Sequence, residues 1–251
     1  MTLTFGSLFA GIGGIDLGLE RAGMQCAWQV EIDDYATRVL TKHWPDVPKF
    51  RDVRECSARN LSAVDCIAGG FPCQDISKAG RGSGLAGKRS GLWFEFWRLI
   101  RELRPRYVVV ENVSALLTRG MGTVLGNLAE IGYDAEWQCI PAASFGAPHL
   151  RERIFIVAYP HRINGNRRAV FDGAIYKAFT KKSEGWLSDG RSVGITDGQG
   201  IRRVRRIPDS RICGVAHGLP ARMDRLRGLG NAVVPQIDEF VGQCIVRHAN
   251  D

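Results

Sequence analysis

None of the seven cysteines (Cys26, Cys56, Cys66, Cys73, Cys139, Cys213 and Cys244) forms a CxxC pair, and their number is odd. Both facts argue against a disulfide framework and against a zinc site, so no metal is expected and a reducing compartment is the simpler setting. No apolar run approaches the roughly 20 residues that span a bilayer. The opening MTLTFGSLFAGIGG has no basic start, long apolar stretch or cleavage site of a signal peptide. The expectation is a soluble, cytoplasmic protein with no membrane partner. Internal repeats and low-complexity tracts are missing too. With 251 residues, 45% of them hydrophobic and 24% charged, the chain has material for one full core, or a domain plus a small lobe, without staples.

What the chain does have is positive charge, and most of it is local. The totals are 34 Lys and Arg against 26 Asp and Glu, a formal +8. Residues 161–227 hold 15 basic against 6 acidic side chains, a net +9, which leaves the remainder at −1. The densest part is Arg202, Arg203, Arg205 and Arg206, in a stretch rich in Gly, Ser, Asn and Asp with little helical or strand period. Clustered cations gain affinity for nucleic acid by releasing condensed counterions. A merely solvated basic loop is the other reading of the same charge.

Residues 1–159 read differently. Short apolar runs alternate with amphipathic stretches: LTFGSLF then IDLGLERAG, CAWQVEI then DYATRVLTKHW, AVDCIAGG then LWFEFWRLIREL, YVVVENV then GTVLGNLAEIG, and finally RIFIVAY. This alternation predicts βαβ units and an α/β fold, a mostly parallel sheet with helices on both faces. Ligands then bind beyond the carboxyl ends of the strands. The closing LGNAVVPQIDEFVGQCIVRHAN ends in an amphipathic helix carrying Ile237, Phe240, Val241 and Ile245, expected to pack back on the α/β domain.

Five strand ends carry candidate chemistry. FAGIGG (9–14) is a Gly-rich turn into a helix, though not the dinucleotide fingerprint, because Asp16 stands where the third glycine belongs. Glu31, 20 residues after Gly11, ends the second strand, where Rossmann-like folds present a carboxylate to ribose hydroxyls. Asp52 follows the third strand; ordinary strand-end carboxylates are the alternative for both. The fourth strand runs into GGFPCQ (69–74), which puts Cys73 next to a proline in a turn, with the access that thiolate chemistry needs. A lone cysteine is also commonly a small buried hydrophobe. Glu111 and Asn112 end the fifth strand, beside the fourth in the usual order, so that a nucleophile and an acid would face one crevice.

FAGIGG, GGFPCQ, ENV, the RER of HLRERIFIVA and the late LGNAVVP stand in the order and near the spacing of the conserved blocks of DNA cytosine C5 methyltransferases. The chain resembles that family over about 1–159 and 226–251, and is similar in its short form to the compact enzymes of bacteria and their phages. The resemblance implies a Rossmann-like S-adenosylmethionine-dependent methyltransferase domain over 1–159 plus 226–251, with 160–225 as a small, basic, irregular DNA-recognition lobe. It implies methyl transfer to C5 of a flipped-out cytosine in duplex DNA through a covalent bond from Cys73 to C6, leaving S-adenosylhomocysteine. It carries Glu111 to protonation of N3, Arg153 to the cytosine O2 and Arg151 to support of the active-site loop. Phe9, Gly11 and Gly13 are carried to the methionine and ribose end of the cofactor, Glu31 to the ribose hydroxyls and Asp52 to the adenine amino group. Pro72, Asn231 and Val233 complete the pocket. The loop after Cys73 would close over the base and meet DNA through Gln74, Ser77, Lys78, Arg81, Lys88 and Arg89, with Arg202, Arg203, Arg205 and Arg206 on phosphates.

Three features depart from the family. His149 replaces the usual glutamine two positions before Arg151, the ninth block (an arginine, then LT and a glutamate) is not recognisable, and the recognition region is short. Base readout is therefore assigned to no residue, and short or relaxed sites are expected. A catalytically silent DNA-binding relative and an RNA cytosine C5 methyltransferase are the competing functions. Partners beyond duplex DNA reduce to a cognate restriction endonuclease; the chain is read as a monomer, in a prokaryotic or phage-infected cytoplasm.

Overall fold

The computed structural model describes residues 2–72, 91–147, 149, 151–161, 169–171 and 232–250. Seven strands form one sheet: β1 (Thr4–Leu8), β2 (Gln25–Val30), β3 (Lys49–Phe50), β4 (Cys66–Gly70), β5 (Tyr107–Val113), β6 (Tyr133–Pro141) and β7 (Glu152–Pro160). Their order is β3-β2-β1-β4-β5-β7-β6. The first five pair in parallel, while β7 runs antiparallel to both β5 and β6. The order reverses between β1 and β4, so the crevice belongs beyond their carboxyl ends.

Among the described residues, six helices cover the sheet: α1 (Gly14–Arg21), α2 (Asp34–His43), α3 (Leu92–Leu103), the short α4 (Leu116–Arg119), α5 (Met121–Glu130) and α6 (Pro235–Asn250). The Asp33 side chain caps α2 by accepting from the Ala36 amide at 2.9 Å. One sheet face buries Trp28, Trp93, Phe96, Leu99, Val124 and Leu128 under α3 and α5. The other buries Phe5, Ile15, Leu19, Phe155, Phe240, Val241 and Ile245 under α1 and α6. Each fully buried large side chain contributes roughly 1.5–3 kcal/mol of transfer free energy. The expected return of the chain end to the first domain is thus observed. It is possible because α1 is thin where α6 crosses: a Cβ on Gly18 would lie 2.6 Å from the Pro235 carbonyl oxygen.

β6 is the element that the sequence pattern does not mark. YDAEWQCIP alternates poorly, because β6 bonds to β7 alone and leaves Trp137 and Gln138 exposed. Partial burial on a sheet edge removes the period that identifies a strand.

Candidate active site

On the β1 side, the first loop is held by backbone geometry. Phe9, Gly11 and Gly13 have φ of 55°, 57° and 86°, left-handed values that glycine adopts without a Cβ penalty and that Phe9 adopts at some cost. The turn closes through Gly13 N–H to the Ala10 carbonyl at 3.0 Å, and Gly13 caps α1 without a side chain. Glu31, just past β2, bridges two loops: Oε2 accepts from the Gly11 amide at 2.7 Å and Oε1 from the Asp33 amide at 2.8 Å. Next to it, Ile32 is 63% exposed, an apolar surface at the strand end. Asp52 follows β3 and accepts from the Arg54 amide at 3.0 Å and from its guanidinium. Those hydrogen bonds bring its carboxyl down to about 2. Val233 reaches this loop from the far end of the chain: a Cβ on Gly14 would lie 3.0 Å from Val233 Cγ2.

On the β4 side, the site is built around a largely covered ion pair, Glu111 and Arg153, whose side chains are 12% and 19% exposed. The register sets Gly70 of β4 opposite Glu111 of β5, and Phe155 of β7 opposite Glu111 from the other side. Phe155 faces α1 and α6, so Glu111 does too. Arg153, two residues before Phe155, shares that face, and its Nε meets Glu111 Oε1 at 2.9 Å. Burial raises the Glu111 carboxyl to about 7, against the opposing pull of Arg153 and then Arg151. Gly70 makes room for this carboxylate, since a Cβ there would stand 2.5 Å from Glu111 Oε2. Asn112 points the opposite way, is buried, and donates from Nδ2 to the Phe71 carbonyl at 3.0 Å. It ties the exit of β4 to β5 two residues before position 73. Arg151 precedes β7, its carbonyl accepting from the Ala142 amide at 3.2 Å; His149 is exposed.

Phe9, Gly11, Gly13, Glu31, Asp52 and Val233 therefore line one part of the carboxyl edge, and Pro72, Glu111, Arg151 and Arg153 lie on the other. Cys73, Gln74, Ser77, Lys78, Arg81, Lys88, Arg89, Arg202, Arg203, Arg205, Arg206 and Asn231 fall outside the described residues. Sequence reasoning gave no role to Ile32, Gly70 or Asn112. An apolar residue directly after a strand-end carboxylate was the available signal for Ile32. The other two depend on register. Among the described residues no group of three or more His, Cys, Asp or Glu is placed to hold a metal ion, and no helix is long and apolar enough to cross a membrane.

This sheet order, with a Gly-rich turn after β1, a carboxylate after β2 and a buried acid at the end of β5, defines a Rossmann-like methyltransferase domain. The fold agrees with that of a prophage-encoded E. coli protein assigned as a DNA modification methyltransferase: TM-score 0.67, 19% identity, covering 100% of both chains. The chain belongs to the C-5 cytosine-specific DNA methylase family, whose model matches residues 3–195; the LGNAVVP block lies beyond that match. It is similar to the Type II methyltransferase M2.BsuMI of Bacillus subtilis, at 38% identity over 61% of this chain and 41% of that one. It is also similar to M.DsaV of Dactylococcopsis salina, at 33% identity over 68% of this chain and 49% of that one. The chain thus spans about half or less of the length of these curated relatives.

Proposed function

We propose that the chain transfers a methyl group from S-adenosylmethionine to C5 of cytosine in duplex DNA. The observation that carries this reading is Glu111: a carboxyl buried at the crevice, balanced near neutrality between desolvation and Arg153. That is the poise a general acid needs at physiological pH.

The cofactor fits the residues present. Each Glu31 oxygen accepts one backbone N–H and keeps acceptor capacity for a ribose hydroxyl. The space above Gly11 is open, and Ile32 offers an apolar surface to a flat base. Asp52 is the proposed partner of the adenine amino group, sharing its oxygens with Arg54, while Phe9, Gly13, Pro72, Asn231 and Val233 enclose the rest. When bound, S-adenosylmethionine supplies an electrophilic methyl group.

The chain's residues supply the remainder. The Cys73 thiolate adds to C6 of the extruded cytosine, and the electron pair displaced into the ring is met by a proton from Glu111 at N3. Arg153 holds Glu111 in place and is set to contact O2, with Arg151 behind it. C5 then takes the methyl group and gives up its proton to water; the C6–sulfur bond breaks to free the Cys73 thiolate, and N3 returns its proton to Glu111. Gln74, Ser77, Lys78, Arg81, Lys88 and Arg89 are proposed to engage DNA beside the target. The recognition role falls to 160–225, with Arg202, Arg203, Arg205 and Arg206 on phosphates. If about eight cations meet phosphates, log affinity should fall with log salt at a slope of roughly −7.

The test is transfer of labelled methyl groups to duplex DNA and to tRNA by the full chain and by Cys73→Ser. Labelling of DNA that disappears in the variant supports the proposal. Labelling of tRNA alone, or an undiminished Cys73→Ser, overturns it.

A further inference from the structure

After β7 ends at Pro160, the chain returns to the α6 face of the sheet at residues 169–171. Val170 and Phe171 are 4% and 7% exposed there. Phe171 joins the apolar cluster of Ile140, Phe155, Val157 and Phe240. Their backbone amides converge on one carboxylate: Val170 N–H donates to Glu136 Oε1 at 3.0 Å and Phe171 N–H to Oε2 at 3.1 Å. The Tyr159 hydroxyl donates to the same Oε1. Glu136 stands opposite Val157 in the β6–β7 register, so its side chain rises from the α6 face. Tyr159 is further braced by His248 of α6, whose ring stacks on it at 5.5 Å between centroids and whose Nδ1 lies 2.8 Å from the Tyr107 hydroxyl.

One carboxylate thus joins β6, β7 and the two residues, Val170 and Phe171, that immediately precede most of the basic segment. Its place matters because β7 carries the chain away from the crevice. Arg153 is at the crevice end and Pro160 at the opposite end, about 23 Å off at strand rise. Val157, and with it the Glu136 anchor, lies about 13 Å from Arg153 on the same measure. Anchoring residues 170–171 brings the departure point of the segment back toward the site.

We propose that Glu136 is a positioning residue for DNA. By clamping Val170 and Phe171 it fixes where the basic segment leaves the catalytic domain, so that cations following residue 171 act at a constant place relative to Glu111. The inference rests on the DNA reading above. It requires that loss of the clamp weaken DNA engagement and leave the chemistry and the cofactor site alone, since an untethered binding element lowers the effective concentration at its target.

Steady-state methyl transfer with Glu136→Ala and, separately, Phe171→Ala tests this, with KM for a duplex, KM for S-adenosylmethionine and kcat read individually. The expected result in both variants is a rise of about tenfold in KM for DNA, with kcat and cofactor KM within about twofold of the parent. Phe171→Leu, which keeps an apolar anchor, should restore most of the DNA KM and covers the case in which Glu136→Ala does not fold. An unchanged KM for DNA in both variants, or a fall in kcat at constant KM, overturns the positioning role. A parent chain that does not methylate duplex DNA defeats the functional reading itself, a distinct outcome.

Discussion

On the β3-β2-β1 side of the crevice, Asp52 sits at the strand end under hydrogen bonds from Arg54 and is held ionised, its carboxyl lowered to about 2. On the β4-β5-β7 side, Glu111 sits at an equivalent strand end, is paired with Arg153, and is raised to about 7. Both carboxylates have an arginine beside them, and their side chains are 19% and 12% exposed; the difference is which effect dominates. At Asp52 the side-chain and backbone hydrogen bonds from Arg54 dominate, whereas at Glu111 desolvation outweighs Arg153. Asp16 supports this assignment: it lies on the β1 side, yet burial lifts it to about 6 despite hydrogen bonds from Gln29 and Ser7. A binding carboxylate works as a fixed acceptor, and a catalytic one must carry a proton at neutral pH. Under the proposed function, the two halves of one edge meet these needs with the same functional group, by hydrogen bonding in one and by desolvation in the other.

The strongest way to break the contrast is Glu111→Gln, which keeps the shape and removes the titration. Single-turnover transfer should fall by roughly 10²–10⁴-fold. In the parent, kcat/KM should decline as pH rises through about 7, where the Glu111 proton is lost, and a pH–rate profile with no such limb would remove the acid assignment. On the other half, Glu31→Ala should leave that pH limb in place and weaken cofactor binding by roughly 10–100-fold, the loss of charge-assisted hydrogen bonds worth about 1.5–3 kcal/mol. Calorimetric titration with S-adenosylhomocysteine reads it.

The smallest effect concerns Asp238 of α6, fully buried, with neither carboxylate oxygen hydrogen-bonded among the described residues. Burial, then Glu111 and Asp16, push its carboxyl well above the ordinary range. A raised acid binds its proton more tightly in the folded state. Its contribution is therefore intact below the unfolded pKa and is lost as pH rises through the folded one. Asp238→Asn should melt close to the parent near pH 4 and above it at pH 8, by about 1–3 kcal/mol. A gap that does not open with pH would show that the Asp238 carboxylate has found a hydrogen-bond donor or a cation.

The β3-β2-β1 half, proposed to hold the cofactor, was largely legible in the sequence because its geometry is local. A Gly-rich turn after an apolar run, and a carboxylate 20 residues on, state their own positions. The Glu111–Arg153 pair was legible only as two separate candidates, since their meeting depends on β7 running antiparallel beside β5, a register that no local pattern carries. Gly70 and Asn112 were hidden for the same reason: the neighbour that gives each its purpose sits on another strand. Asp238 was given no role in the sequence reading, although it shares a helical face with Val241 and Ile245 and breaks an otherwise apolar stripe.

The docking of α6 on α1 also bears on the order in which the protein can be assembled. The face of α1 that accepts Pro235 and Asp238 at Gly18 emerges from the ribosome more than two hundred residues before the helix that covers it. Until then the first strand–turn–helix unit has an unfinished flank, and the contact that completes it is among the most distant in the chain. Such long-range closures are slow and come late. The first loop should thus acquire its final shape only after the bulk of the sheet has formed, and a newly made chain would pass through an interval in which the β4-β5-β7 side of the crevice is organised before the β3-β2-β1 side.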